Sequence, residues 1–249
     1  MIEPYIGVTG FMSAMEIENV LAAMPVDSRH LFMVGVLASV RTLRGDEPWQ
    51  PGRYPHVLAI KDIFVLAPKV LNLVHYAPGN RPDLGGQLKQ MAEFGGPFLH
   101  GFQLNVFWPD PKEIEKIAHY KLRIVLQLDG TALIKAGDSN EFKERLSVYD
   151  GLITDVLVDL SGGKGKLFDL DYVRSRLGVI REHFPNLGYG VGGGLAPETV
   201  DLIKPLVAEF PNLSIDAEGR LRTPHPEDKL DVSRAKEYVA RGLKVLNER

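Results

Sequence analysis

The 249-residue chain contains no cysteine, which excludes disulfides, thiolate metal sites and a thiol nucleophile. It also lacks a charge excess: 29 Lys and Arg stand against 32 Asp and Glu, a formal net charge of -3. That balance argues against nucleic acid or an anionic membrane as the main partner. Long apolar runs are missing too. The most apolar stretch, Ile63 to Val74, is interrupted by Pro68 and Lys69 and is too short to span a bilayer. Met1 to Gly10 lacks the basic start and apolar core of a signal peptide. The expectation is a soluble, cytoplasmic protein.

What is present is an ordinary apolar fraction of 45%, with 25 Gly and 17 Pro, enough to bury a sizeable core. Short apolar runs alternate with amphipathic stretches along the whole chain. Strands are predicted at Tyr5 to Thr9, Leu31 to Leu37, Val70 to His75, Phe98 to Val106, Leu122 to Leu128, Thr154 to Leu160, Leu187 to Val191 and Leu213 to Asp216. Helical patterns lie between them. Ser13 and Glu16 form a capping-box pair opening a helix through Met24, and further helices are predicted at His56 to Leu66, Leu84 to Phe94 and Pro111 to His119. Others follow at Glu141 to Tyr149, Leu170 to His183, Pro197 to Glu209 and Val232 to Leu246. Apolar strands each followed by a helix mean a parallel sheet covered by helices. Eight such units in about 250 residues favour one closed (β/α)8 TIM barrel, spanning residues 1–249, over an open doubly wound sheet. The open sheet would carry a dinucleotide fingerprint after its first strand, and Gly7 and Gly10 have no third glycine to complete one. The longest irregular segment, Ala38 to Pro55, carries Arg41, Arg44 and Arg53 and is read either as a binding loop or lid, or as a tolerated excursion.

Active sites of such barrels lie at the C-terminal ends of the strands. The polar residues there are Thr9, Arg41, His75, Gln103, Asn105, Gln127, Asp129, Asp159, Asp216 and Glu218. Any one of them alone can cap a helix or tie down a loop. Two glycine-rich turns add to them: Ser161-Gly162-Gly163-Lys164-Gly165-Lys166 after strand six, and Gly192-Gly193-Gly194-Leu195-Ala196-Pro197-Glu198 after strand seven. Bare backbone N–H groups in such turns make an anion cradle, and loops late in the barrel commonly hold phosphate. His75, Asp159 and Asp129 are the one set that suggests a divalent ion. A lone strand-end His more often hydrogen-bonds or moves a proton, so neither metal nor cofactor is expected.

Several segments resemble the phosphoribosylanthranilate isomerase family. Leu157-Val158-Asp159, followed by Gly162-Gly163-Lys164-Gly165 and Leu167-Phe168-Asp169, is similar to its Leu-x-Asp, Gly-Gly-x-Gly and Phe-Asp-Trp segment. Gly193-Gly194-Leu195-Ala196-Pro197-Glu198-Thr199-Val200 is similar to its Gly-Gly-Leu-x-Pro-x-Asn-Val turn, and Phe102-Gln103-Leu104 to part of its Val-Gln-Leu-His stretch. The resemblance implies an aldose-to-ketose rearrangement of a phosphoribosyl amine, with Asp159 as general acid. It departs from the pattern in four places. Thr9 stands where the family has its catalytic Cys, Gly7 where it has a Lys, Asn105 where it has a His, and Glu218 where it has a Ser beside the phosphate.

A threonine hydroxyl has no thiolate-like form near neutral pH, so Thr9 at the strand-one position needs His75 or Asp129 as the base. The phosphate is expected on Gly162, Gly163, Lys164, Gly165, Gly193, Gly194 and Gly219, with Arg41, Gln103, Asn105 and Gln127 contacting the rest of the substrate. Glu218 would repel that phosphate unless paired with Arg220 or Arg222. The expected activity is a cofactor-free isomerase or lyase on a small phosphorylated sugar derivative. The alternative is a non-catalytic ligand-binding or regulatory barrel descended from such an isomerase. Barrels of this size often form homodimers, and that is the assembly envisaged.

Overall fold

Every predicted strand forms, and all eight pair in parallel and in sequence order in the computed structural model, which describes residues 2–48, 50–78, 83–159 and 169–248. They are β1 (Tyr5–Thr9), β2 (Leu31–Ser39), β3 (Val70–Ala77), β4 (Gly101–Asn105), β5 (Arg123–Asp129), β6 (Asp155–Asp159), β7 (Gly188–Gly192) and β8 (Leu213–Ala217). The barrel closes where β8 pairs with β1, Ile6 opposite Ile215. It is a (β/α)8 TIM barrel. Its helices are α1 (Ala14–Leu21), α2 (Val40–Leu43), α3 (Ile60–Ile63), α4 (Leu84–Gly95) and α5 (Pro111–Glu115). They continue with α6 (Gly130–Lys135), α7 (Ser139–Ser147), α8 (Leu170–His183), α9 (Lys204–Glu209) and α10 (Val232–Asn247). Among the described residues no helix is long and apolar enough to cross a membrane.

The period of two along each strand divides the interior from the helix layer. Ile6 and Val8, Phe32 and Val34, and Val156 and Val158 join the large core beneath the helices. Tyr5, Met33, Leu71, Leu73, Val125 and Leu157 pack together as a separate plug inside the barrel. Below the plug, Arg123 makes two bonds to Asp155, at 2.8 and 2.6 Å, and lies 5.3 Å from the centre of the Tyr5 ring. Above the plug the inward positions turn polar: Thr9, His75, Gln103, Gln127, Asp159 and Asp216 are all buried. The barrel is closed at its floor and chemically equipped at its mouth.

The helices follow the sequence signals where those signals are long. Leu170–His183 has the predicted bounds, with the Asp169 carboxylate accepting from the Tyr172 N–H at 3.0 Å as its cap. Short elements differ. Pro197 to Glu209 splits into a 3₁₀ turn at Val200–Ile203 and α9, with Pro205 in the first turn of α9, because proline lacks the N–H an interior position needs. His56 to Leu66 likewise resolves into a 3₁₀ turn at Val57–Ala59 and the single turn of α3. The segment after β2 is not wholly irregular. Ser39 and Thr42 form a capping box that nucleates α2.

Candidate active site

At the C-terminal ends of the strands lies a cavity of about 450 Å³. Its wall includes His75 from β3, Gln127 from β5, Asp159 from β6, Gly192 from β7 and Asp216 from β8, with Gly193 and Gly194 beyond β7 and Glu218 to Arg220 beyond β8. Gly193 and Gly194 have φ of 87° and 68°, a left-handed backbone that glycine adopts without strain. The two-residue turn therefore passes along the cavity without projecting a side chain into it.

Hydrogen bonds fix the polar floor. Thr9 Oγ1 donates to Asp216 Oδ1 at 3.2 Å, and Gln103 Nε2 donates to Asp216 Oδ2 at 2.9 Å and to Gln127 Oε1 at 3.0 Å. Gln127 Nε2 donates to Asp159 Oδ2 at 2.9 Å. Burial pushes the Asp216 carboxyl up to about 7, with the negative charges of Glu218 and Asp159 adding to it and the Gln103 and Thr9 hydrogen bonds opposing it. A carboxyl in that range exchanges its proton near neutral pH. His75 is 3% exposed, and its buried Nδ1 has no partner among the described residues. Burial holds its pKa below the usual histidine value, helped by the Arg53 charge and opposed by Glu218 and Asp159. Neutral imidazole is the form that can accept a proton.

Two loops build the rim. Arg53, from the long segment after β2, pairs with Glu218 and reaches Asp228 at 3.5 Å. Arg222 pairs with Asp228 at 2.6 Å and donates to the Gly52 carbonyl at 2.8 Å. Four alternating charges thus join the loops after β2 and β8. The cation that neutralises Glu218 is Arg53, in place of the Arg220 or Arg222 expected from local sequence. Arg220 stands 4.0 Å from Glu198 and also lines the cavity.

Among the sequence-expected residues, the structure brings His75, Gln127, Asp159, Gly193, Gly194 and Gly219 to this cavity. Thr9 and Gln103 lie buried beneath it and act through Asp216 and Gln127. Asp129 is corrected: its carboxylate caps α6, accepting from the Ala132 N–H at 2.8 Å, and it is absent from the cavity wall. Arg41 sits exposed on α2, and Asn105 is exposed at the end of β4; neither lines the cavity. Gly162, Gly163, Lys164 and Gly165 lie outside the described residues. Since Asp129 turns away, the trio considered for a divalent ion does not assemble. Among the described residues no three His, Asp or Glu side chains gather as a metal-binding group.

Solved structures share this architecture. Phosphoribosyl anthranilate isomerase from Thermococcus kodakaraensis superposes with a TM-score of 0.62 over 96% of this chain and 98% of its own, at 13% identity. A structure described as native KDPGal gives 0.56 over 97% and 93%, at 12% identity. The putative copper homeostasis protein CutC from Streptococcus agalactiae gives 0.53 over 87% and 99%, at 14% identity. At these identities the likeness is one of fold. No protein-family profile matches the chain, and no curated protein matches it.

Residues to which the sequence assigned no catalytic or binding role complete the site: Asp216 and Glu218, seen there only as polar strand-end residues, with Arg53, Arg222 and Asp228. Asp216 had a signal, a carboxylate at the end of a strand whose neighbour β1 carries a glycine. A Cβ at Gly7 would stand 2.7 Å from Asp216 Oδ1, so the missing side chain makes room for the carboxyl. Arg53 had only its place in a long loop.

Proposed function

We propose that this chain is a cofactor-free isomerase or lyase acting on a small phosphorylated sugar derivative. One observation carries the reading: titratable Asp159, His75 and Asp216 face the same 450 Å³ cavity as the bare Gly193–Gly194 turn. Proton transfer at a carbon beside a carbonyl or imine needs an acid and a base on one small molecule. Asp159 is the general acid of this proposal, and neutral His75, which lines the same cavity, is the base. The backbone N–H groups of Gly193, Gly194 and Gly219, with the Arg220 guanidinium, hold the phosphate, as loops seven and eight commonly do in this fold. The Thermococcus isomerase, whose name carries a phosphoribosyl group, supports the same class. Gly7 and Thr9 depart from that family's strand-one pattern, so complementation of a tryptophan auxotroph is expected to fail.

The test is thermal denaturation with ribose 5-phosphate and a panel of other phosphorylated pentoses and hexoses, against the free sugars and inorganic phosphate. A ligand at 100 times its dissociation constant adds roughly 2.7 kcal/mol. The expected result is stabilisation by at least one sugar phosphate beyond that given by phosphate alone, weakened at least tenfold in Arg220→Ala. With that ligand as substrate, Asp159→Asn should lower turnover by about 10²–10⁴-fold. Failure of the whole panel to stabilise the protein would refute the proposal. Binding with no turnover would select the non-catalytic barrel instead.

A further inference from the structure

Beneath the cavity the side-chain hydrogen bonds run unbroken from β1 to β6: Thr9 to Asp216, Gln103 to Asp216 and to Gln127, and Gln127 to Asp159. Every member is buried. A primary amide has two donor hydrogens and one acceptor oxygen. Both hydrogens of Gln103 are spent, while its buried Oε1 has no partner among the described residues. Leaving such an acceptor unmade is unfavourable, so something must hold the amide this way round. Turning it would set Oε1 against a carboxylate oxygen of Asp216 and against Gln127 Oε1. Ionised Asp216 therefore fixes the orientation of Gln103, and Gln103 fixes that of Gln127, whose Nε2 is aimed at Asp159.

Protonation reverses the argument. A carboxylic acid at Asp216 can donate to the idle Gln103 Oε1, which lets the amide turn. Gln127 Oε1 then faces Gln103 Oε1, which a turn of Gln127 relieves; that turn takes Nε2 from Asp159 and sets Oε1 there instead, so it is favoured when Asp159 holds a proton. No proton crosses the amides and no covalent bond changes; what passes along the chain is the direction of two amide dipoles.

We propose that Asp159 and Asp216 form one coupled acid–base pair, linked through the side-chain amides of Gln103 and Gln127, which serve as positioning residues. The proposal rests on the reading of this cavity as an acid–base site and deepens it. It assigns strand eight the second carboxyl of the site, with Thr9 as its hydrogen-bond partner in place of an independent base. The other groups that bear on Asp216 are Glu218 at the end of β8, Tyr5 from β1 and Tyr238 from α10. Burial pushes both tyrosines well up, with nearby carboxylates adding to it, so they stay neutral. Asp159 is in turn felt by His75 from β3, and Arg53 and Arg222 share the cavity wall.

Coupling through the amides makes a statement about Gln127, which bonds to Gln103 and Asp159 and not to Asp216. The experiment is a ligand-free NMR titration of the full chain, following aspartate carboxyl carbons and glutamine side-chain amides together. In the wild type, the amide signals of both Gln103 and Gln127 are expected to move with the midpoint of the Asp216 carboxyl. In Gln127→Met, Gln103 is no longer pinned, and the Asp216 midpoint is expected to rise by about one pH unit. A Gln127 amide that ignores the Asp216 titration, or an Asp216 midpoint unchanged in Gln127→Met, overturns the proposal and leaves only through-space charge between the two carboxyls. Should Gln127→Met fail to fold, the wild-type amide titration decides alone. Because no sugar is present, a coupled titration alongside a failed ligand panel would sink the substrate assignment and spare the pair.

Discussion

Asp216→Asn is the most informative substitution the structure offers, because it separates the cost of the site from its use. Asparagine keeps the shape, can accept from Gln103 Nε2 through its oxygen, and can donate to Thr9 Oγ1 through its nitrogen. It removes only the charge. The carboxyl is raised from 3.8 to about 7 by burial, with Glu218 and Asp159 adding to it. The folded state therefore holds this proton more tightly than the unfolded chain does. The stabilising contribution is complete below pH 3.8, declines as pH rises from 3.8 to 7, and stays lost above. A shift of about three units at roughly 1.36 kcal/mol each amounts to about 4 kcal/mol, a large share of the 5–15 kcal/mol typical of a folded protein. Urea denaturation of both proteins at pH 4, 6 and 8 reads this directly. The advantage of the Asn variant should grow by about 4 kcal/mol between pH 4 and pH 8, with unchanged denaturant slopes. A difference that stays flat to within about 0.5 kcal/mol across that range would show that Asp216 is not a buried, raised carboxyl. The same variant is expected to lose turnover, the usual trade between stability and a strained site.

Other perturbations test separate parts of the molecule. Asp129→Ala should cost about 1 kcal/mol in urea denaturation, the value of an N-cap, and leave sugar-phosphate affinity untouched. His30 is pushed down to about 4, chiefly by burial, with the Arg29 charge adding and the Leu213 carbonyl opposing. Neutral His30 therefore contributes stability that is complete above pH 6.5 and lost as pH falls toward 4. His30→Leu should remove up to about 3 kcal/mol of that dependence, measured by denaturation at pH 7 and pH 4.5. Arg123→Ala would leave Asp155 buried without its cation beneath the plug. It should cost about 3–5 kcal/mol at pH 7 while any ligand bound at the opposite end keeps its affinity.

The strands were legible because their apolar positions recur in short β-branched runs bounded by glycine and proline. The ends of α8 were legible because fourteen residues show several helical turns and a cap. α2 and α6, at four and six residues, are too short to establish a period, so nothing but their caps marks them. Asp129 shows a deeper ambiguity. A carboxylate at the end of a barrel strand is what catalysis needs and also what the next helix needs as a cap. Sequence cannot separate the two uses when the helix is itself invisible. The rim is a matter of distance along the chain: Arg53 meets Glu218 across 165 residues, and no local pattern encodes that meeting.

The glycines on the inward face of the barrel connect these observations. A Cβ at Gly7 would meet Asp216 Oδ1 at 2.7 Å and the flexible end of Met33, and one at Gly35 would overlap Thr9 Oγ1. One at Gly10, at φ 114°, would overlap the buried guanidinium of Arg222. Side chains are thus missing along β1 and β2 where Asp216 of β8, Arg222 beyond it and Thr9 of β1 itself take up the space. The absence of a basic residue at position 7 and the presence of a buried carboxyl at position 216 are accordingly one structural fact. A large side chain at position 7 would force Asp216 out of reach of Thr9 and Gln103, whose hydrogen bonds are its compensation for burial. The space that a side chain at position 7 would take is filled by a carboxyl from strand eight. Thr9, whose place at the end of strand one suggested a catalytic position, stands in the structure as a hydrogen-bond donor to that acid.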